Sequence, residues 1–137
     1  MLTHSLAIIR TLRPNLPLLA SAVVEAIMLT EGAIGSADQV ARRLGLPNRF
    51  KLARLLKQSG LPPLHRLAEW ATLESWVTAA ERDNLSLCHI AFRAKRHPSA
   101  CYRLVKEITG RGWEEVRTLG SSWVQMEFTN RLNNGSR

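Results

Sequence analysis

Two stretches of the chain concentrate positive charge without a single acid. Residues 42–57 hold Arg42, Arg43, Arg49, Lys51, Arg54 and Lys57, and residues 93–106 hold Arg93, Lys95, Arg96, Arg103 and Lys106. Cations at this density can neutralise a row of phosphates, and a guanidinium can also take a guanine edge through two parallel hydrogen bonds. The totals lean the same way: nineteen Lys and Arg against eleven Asp and Glu give a net charge of +8. A polyanionic partner is therefore expected. A basic surface without a partner is the alternative, and charge alone does not separate the two. The acids gather elsewhere, at Glu69, Glu74, Glu81 and Asp83 for example.

Other chemistries find little support. His89, His97, Cys88 and Cys101 are close in sequence, but their spacing resembles no zinc site. The two cysteines make no disulfide framework and read as small buried residues. No nucleophile, base and acid stand together. Gly110-Arg111-Gly112 follows a helix rather than a strand, so it is no phosphate loop. No enzyme, cofactor or metal is expected. The most apolar stretch, Leu16 to Leu29, is too short to span a bilayer and contains Pro17 and Glu25. With no evident secretory signal, a cytoplasmic protein is expected.

The elements that carry the basic residues read as helices. Hydrophobic residues make up 45% of the chain and β-branched runs are absent, which favours an all-α fold. Residues 1–14 are ambiguous, with a possible helical turn around Leu6 to Leu12. A helix from Pro17 to about Glu31 is expected to bury Leu18, Leu19, Ala22, Val23, Ala26, Ile27 and Leu29. Ser36 with Gln39 forms a capping box before a helix over 37–44 that turns Val40, Ala41 and Leu44 inward. Asn48 can cap a helix over 49–58 that buries Leu52, Leu55 and Leu56. A long helix over 63–82 places Leu64, Leu67, Ala71, Leu73, Trp76, Val77 and Ala80 in the core. Ser86 caps a helix over 87–94, Pro98 opens another over 99–109, and helices follow over 113–119 and from Ser121 to Leu132. Asn133 to Arg137 reads as a frayed tail.

The chain also repeats itself. At a shift of fifty residues Ser36 falls on Ser86, Val40 on Ile90, Ala41 on Ala91, Leu55 on Val105 and Gly60 on Gly110. Each copy reads as a cap, a short helix, a tight turn, a second helix and a glycine stop, which is the pattern of a helix-turn-helix unit. The expected architecture is two such subdomains joined by a long connector helix. Its parts are an N-terminal segment over 1–35, a first unit over 36–63, the connector over 64–84, a second unit over 85–120, and a C-terminal helix and tail over 121–137. A twenty-residue connector is about 30 Å long, near the ~34 Å between successive turns of a DNA major groove.

Residues 36 to 117 resemble the DNA-binding domain of the AraC/XylS family of transcription regulators. The second copy carries most of the likeness, in Ser86-Leu87-Cys88-His89-Ile90-Ala91, Arg103-Leu104-Val105-Lys106, Gly110 and Val116-Arg117. The first copy adds Ser36, Val40-Ala41, Leu44-Gly45, Gly60 and Pro63. The chain departs from the pattern at Ala94-Lys95 for a Gly-Phe pair, Thr72 for an Arg, Trp76 for a small residue, and Ala79-Ala80 for a leucine pair. No strand-rich segment is long enough for the family's ligand-sensing domain.

The resemblance implies a transcription regulator that reads double-stranded DNA in adjacent major-groove segments. It also implies a monomer or weak dimer, with RNA polymerase or another regulator subunit as a further partner. DNA contacts are expected from Asn48, Arg49, Lys51 and Arg54 in the first copy, and from Lys95, Arg96, His97, Ser99, Ala100 and Arg103 in the second. The turn residues suit phosphates better than bases. A protein-interaction module on the same scaffold is the alternative, with the Leu16–Leu29 helix as its surface.

Overall fold

The computed structural model describes residues 3–134. Among them the chain forms nine α-helices and no strand: α1 (Thr3–Leu12), α2 (Leu18–Leu29), α3 (Ala37–Arg43), α4 (Arg49–Gln58), α5 (Leu64–Asp83), α6 (Leu87–Arg93), α7 (Pro98–Thr109), α8 (Trp113–Leu119) and α9 (Ser121–Asn133). The ambiguous first segment is thus a ten-residue helix. The expected tail lies partly outside the described residues. Among the described residues no helix is long and apolar enough to cross a membrane.

The core is organised around α5. Its apolar residues do not form one stripe, and no residue from 66 to 80 is exposed. A helix that is buried on all sides must sit at the centre of a domain, and α5 packs against α2, α6, α7, α8 and α9. Trp70 of α5 meets Phe128 of α9 with ring centroids 5.8 Å apart. One charged side chain enters this core. The Glu74 carboxylate is buried and accepts hydrogen bonds from the Ser5 hydroxyl of α1 and, at 3.0 Å, from Gln125 Nε2 of α9. The acid's lone pairs are thereby used to seat two helices that are distant in sequence.

Arg13 ties three helix ends together. Its guanidinium donates from Nε to the Gly60 carbonyl at 3.1 Å, from Nη1 to the Leu12 carbonyl at 3.0 Å, and from Nη2 to the Leu132 carbonyl at 2.9 Å. Leu12, Gly60 and Leu132 lie at the C-terminal ends of α1, α4 and α9, where carbonyls lack helical partners and the helix dipole favours a cation.

Two expectations are corrected. α2 buries Ala20, Val23, Val24, Ile27 and Met28, whereas Leu18 is 86% exposed and Leu29 61%. Of the seven residues expected inside, only Val23 and Ile27 are fully buried; Leu18, Leu19, Ala26 and Leu29 are exposed and Ala22 is half-buried. Cys101 is buried as expected, but Cys88 is exposed, with its sulfur 3.9 Å from the Tyr102 hydroxyl.

Candidate nucleic-acid interface

The basic segments belong to two helix pairs, α3–α4 and α6–α7, whose members pack against each other. Both pairs begin alike. The Ser36 hydroxyl accepts the Gln39 N–H at 3.2 Å and the Ser86 hydroxyl accepts the His89 N–H at 3.1 Å. Val40 and Ile90 are buried, and Ala41 and Ala91 have no exposed surface.

The first helix of each pair ends in the same hydrogen-bonded turn. Leu46 N–H donates to the Ala41 carbonyl and Arg96 N–H to the Ala91 carbonyl, each at 2.9 Å. Gly45 N–H donates to the Arg42 carbonyl at 3.1 Å and Lys95 N–H to the Phe92 carbonyl at 3.2 Å. These are paired Schellman bonds, which require a left-handed residue just past the helix. Gly45 supplies it with φ 75°, and Lys95 supplies it with φ 56°. The second turn therefore places a lysine at the position where the first has a glycine.

After the turn the two copies fall out of step. Pro47 and Asn48 lead into α4, but His97 alone leads into α7. Asn48 Oδ1 caps α4 by accepting from Phe50 N–H and Lys51 N–H, both at 3.1 Å. His97 Nδ1 caps α7 by accepting from Ser99 N–H at 3.2 Å, and it lies 2.7 Å from the Ser99 hydroxyl. The second helices therefore correspond at a shift of forty-nine. Leu52 matches Cys101 and Leu56 matches Val105, all four buried. This corrects the pairing of Leu55, which is half-buried, with Val105.

The corrected register fixes what each second helix turns outward. At about 100° per residue, the side opposite Leu52 and Leu56 carries Phe50, Arg54 and Gln58, with Lys51 and Lys57 beside them. The side opposite Cys101 and Val105 carries Ser99, Arg103 and Glu107, with Ala100 and Lys106 beside them. All ten residues are exposed. Among the described residues no carboxylate pairs with Lys51, Arg54, Lys57, Arg103 or Lys106.

All ten residues singled out in the sequence are exposed, but not all are equally available. The side-chain oxygen of Asn48 and the Nδ1 of His97 are engaged in capping. Arg49 points to the flank, where it pairs with Asp38 of α3 at 3.5 Å and lies over the Phe50 ring at 5.0 Å. Arg96 lies over the Trp76 ring of α5 at 5.6 Å, which ties the second turn to the central helix. Phe50, Lys57 and Gln58 in α4, and Lys106 and Glu107 in α7, complete the outward faces and were not singled out. The signal for Phe50 was its position two residues before Leu52, off the buried stripe.

Burial raises the Cys101 thiol above its ordinary pKa of 9.0, and the nearby Arg96 charge partly offsets this. Tyr102 is also raised, first by its hydrogen bond with Cys88. Among the described residues no group of three or more His, Cys, Asp or Glu is placed to hold a metal. Beside α4 an open groove of about 860 Å³ has an apolar floor that includes Leu52, Leu56, Leu61 and Leu64. The chain matches no protein-family model, no curated protein and no solved structure.

Proposed function

We propose that the protein binds double-stranded DNA sequence-specifically as a transcription regulator. In this reading α3–α4 and α6–α7 are two helix-turn-helix units, α4 and α7 are their recognition helices, and α5 is the connector. The observation that carries the reading is the matched pair of outward faces. Two helices at corresponding places in a structural repeat each present an Arg followed three residues later by a Lys, Arg54-Lys57 and Arg103-Lys106, and none of the four is in an ion pair among the described residues, although Glu107 shares the α7 face. Such a face can lie in a major groove, with the turn residues Lys95 and Arg96 on the phosphates. The likeness to the AraC/XylS DNA-binding domain supports the same assignment.

The test is a titration of duplex fragments at several salt concentrations, with a scrambled duplex as control. Selective binding that weakens steeply with salt is expected, since each neutralised phosphate adds about 0.9 to the slope of log K against log salt. Arg54→Glu with Arg103→Glu abolishes that binding. Arg54 is the better site of reversal in α4, because Arg49 is paired with Asp38.

The groove beside α4 favours a second reading, a protein-interaction module on the same scaffold. Its apolar floor is open to solvent and is bordered by Lys57 and His65. Weak binding to every fragment, unchanged by the double reversal, would leave this groove as the working surface.

A further inference from the structure

Phe50 is out of place on its helix. It is 66% exposed while Leu52, two residues on, is 1% exposed. The two point in nearly opposite directions, so no adjustment within α4 can bury both. Phe50 lies in the first turn of α4, directly after the Asn48 cap, and Arg54 follows one turn later on the same side. The Arg49 guanidinium over one face of the ring restrains it. At the corresponding position of α7 stands Ser99, whose hydroxyl is turned to His97.

We infer that Phe50 reads the 5-methyl group of a thymine, so that the DNA under α4 is specified by an apolar contact that α7 does not make. The inference rests on the DNA-binding reading above. The first turn of a recognition helix is the part that reaches base edges. The thymine methyl is the apolar group that the major groove displays, and phenylalanine is among the side chains that meet it. Phosphates and sugars offer a phenyl ring nothing comparable, whereas the adjacent Lys51 and Arg54 suit them well. The two recognition helices thereby differ in kind, one pairing a ring with an arginine and the other a hydroxyl with an arginine.

The test starts from a pool of random duplexes, from which the protein enriches its preferred sequence. The enriched duplex is then resynthesised with single thymines replaced by uracil, a change that removes only the methyl. Burying one methyl predicts a loss of about fourfold in affinity at one thymine. Phe50→Ala binds the thymine and uracil duplexes equally, and Phe50→Leu keeps the distinction. Because Phe50 is exposed, both variants melt with the wild type. The inference is overturned if the wild type binds both duplexes equally, or if Phe50→Ala still discriminates. Enrichment of no sequence overturns the DNA reading and the inference with it. In that case Phe50, which also borders the groove beside α4, belongs to a protein contact.

Discussion

Three substitutions at left-handed positions separate backbone strain from steric collision. Gly45 has φ 75° and a methyl group there would meet nothing within 4 Å, so Gly45→Ala carries only the left-handed penalty. That penalty is about 1–2 kcal/mol, reduced by the lower entropy of unfolded alanine, for a net loss of about 1 kcal/mol. Gly32, with φ 89°, follows α2 where the chain passes closest to α5. A Cβ there would collide with Thr72 Oγ1 and with the backbone carbonyl of Ala68. The hydroxyl can rotate away but the carbonyl cannot, so α2 must move off α5. Overpacking adds about 1–3 kcal/mol, for a total of about 2–4 kcal/mol. Lys95 already bears the left-handed strain, and Lys95→Gly relieves it for a gain of about 0.5–1 kcal/mol. For 137 residues each kcal/mol moves the melting temperature by about 3–4 °C. Thermal melts by circular dichroism should therefore rank Lys95→Gly above wild type, Gly45→Ala a few degrees below it, and Gly32→Ala lowest. If Gly32→Ala melts within about 2 °C of Gly45→Ala, the close approach of α2 to α5 is refuted. If Lys95→Gly melts below wild type, the account of the second turn fails.

Removing the Arg13 clasp should cost about 2 kcal/mol, because Arg13→Ala strips charge-assisted hydrogen bonds from three helix ends. Urea titration measures it, and Arg13→Lys, which cannot reach three carbonyls from one nitrogen, should recover less than half. At the second recognition-helix candidate, His97→Ala should cost about 1 kcal/mol by uncapping α7, whereas His97→Asn should keep most of it. Equal losses in the two variants, read from the same titration, would mean that the imidazole packs rather than caps.

How much was legible in the sequence differs from element to element. Ser36 with Gln39, Ser86 and Pro98 announced their helix starts because capping chemistry is local. The inward set of α5 was legible, but the additional burial of Trp70, Thr72 and Glu74 depended on partners distant in sequence. In α2 nearly every residue is apolar, so no polar side sets the register. What sets it is packing against α5 and α1, which are distant in sequence or were themselves ambiguous. The repeat was visible, yet a uniform shift of fifty hid the shorter second turn and misaligned the buried residues of the two second helices. Charge revealed the basic residues of the candidate interface. Phe50 stayed hidden because a phenylalanine in a helix reads as core until the register is known.

The burial of α5 also has a mechanical side. A helix enclosed from 66 to 80 has no free side toward which to bend, and it cannot slide without opening the contacts of five other helices. It acts as a strut of about 30 Å. The pair that follows, α6–α7, packs directly on this strut, whereas the pair that precedes it, α3–α4, makes its main contacts within itself. A surface that engaged both would meet one pair held fast and one pair freer to shift, so misfit would be taken up at α3–α4.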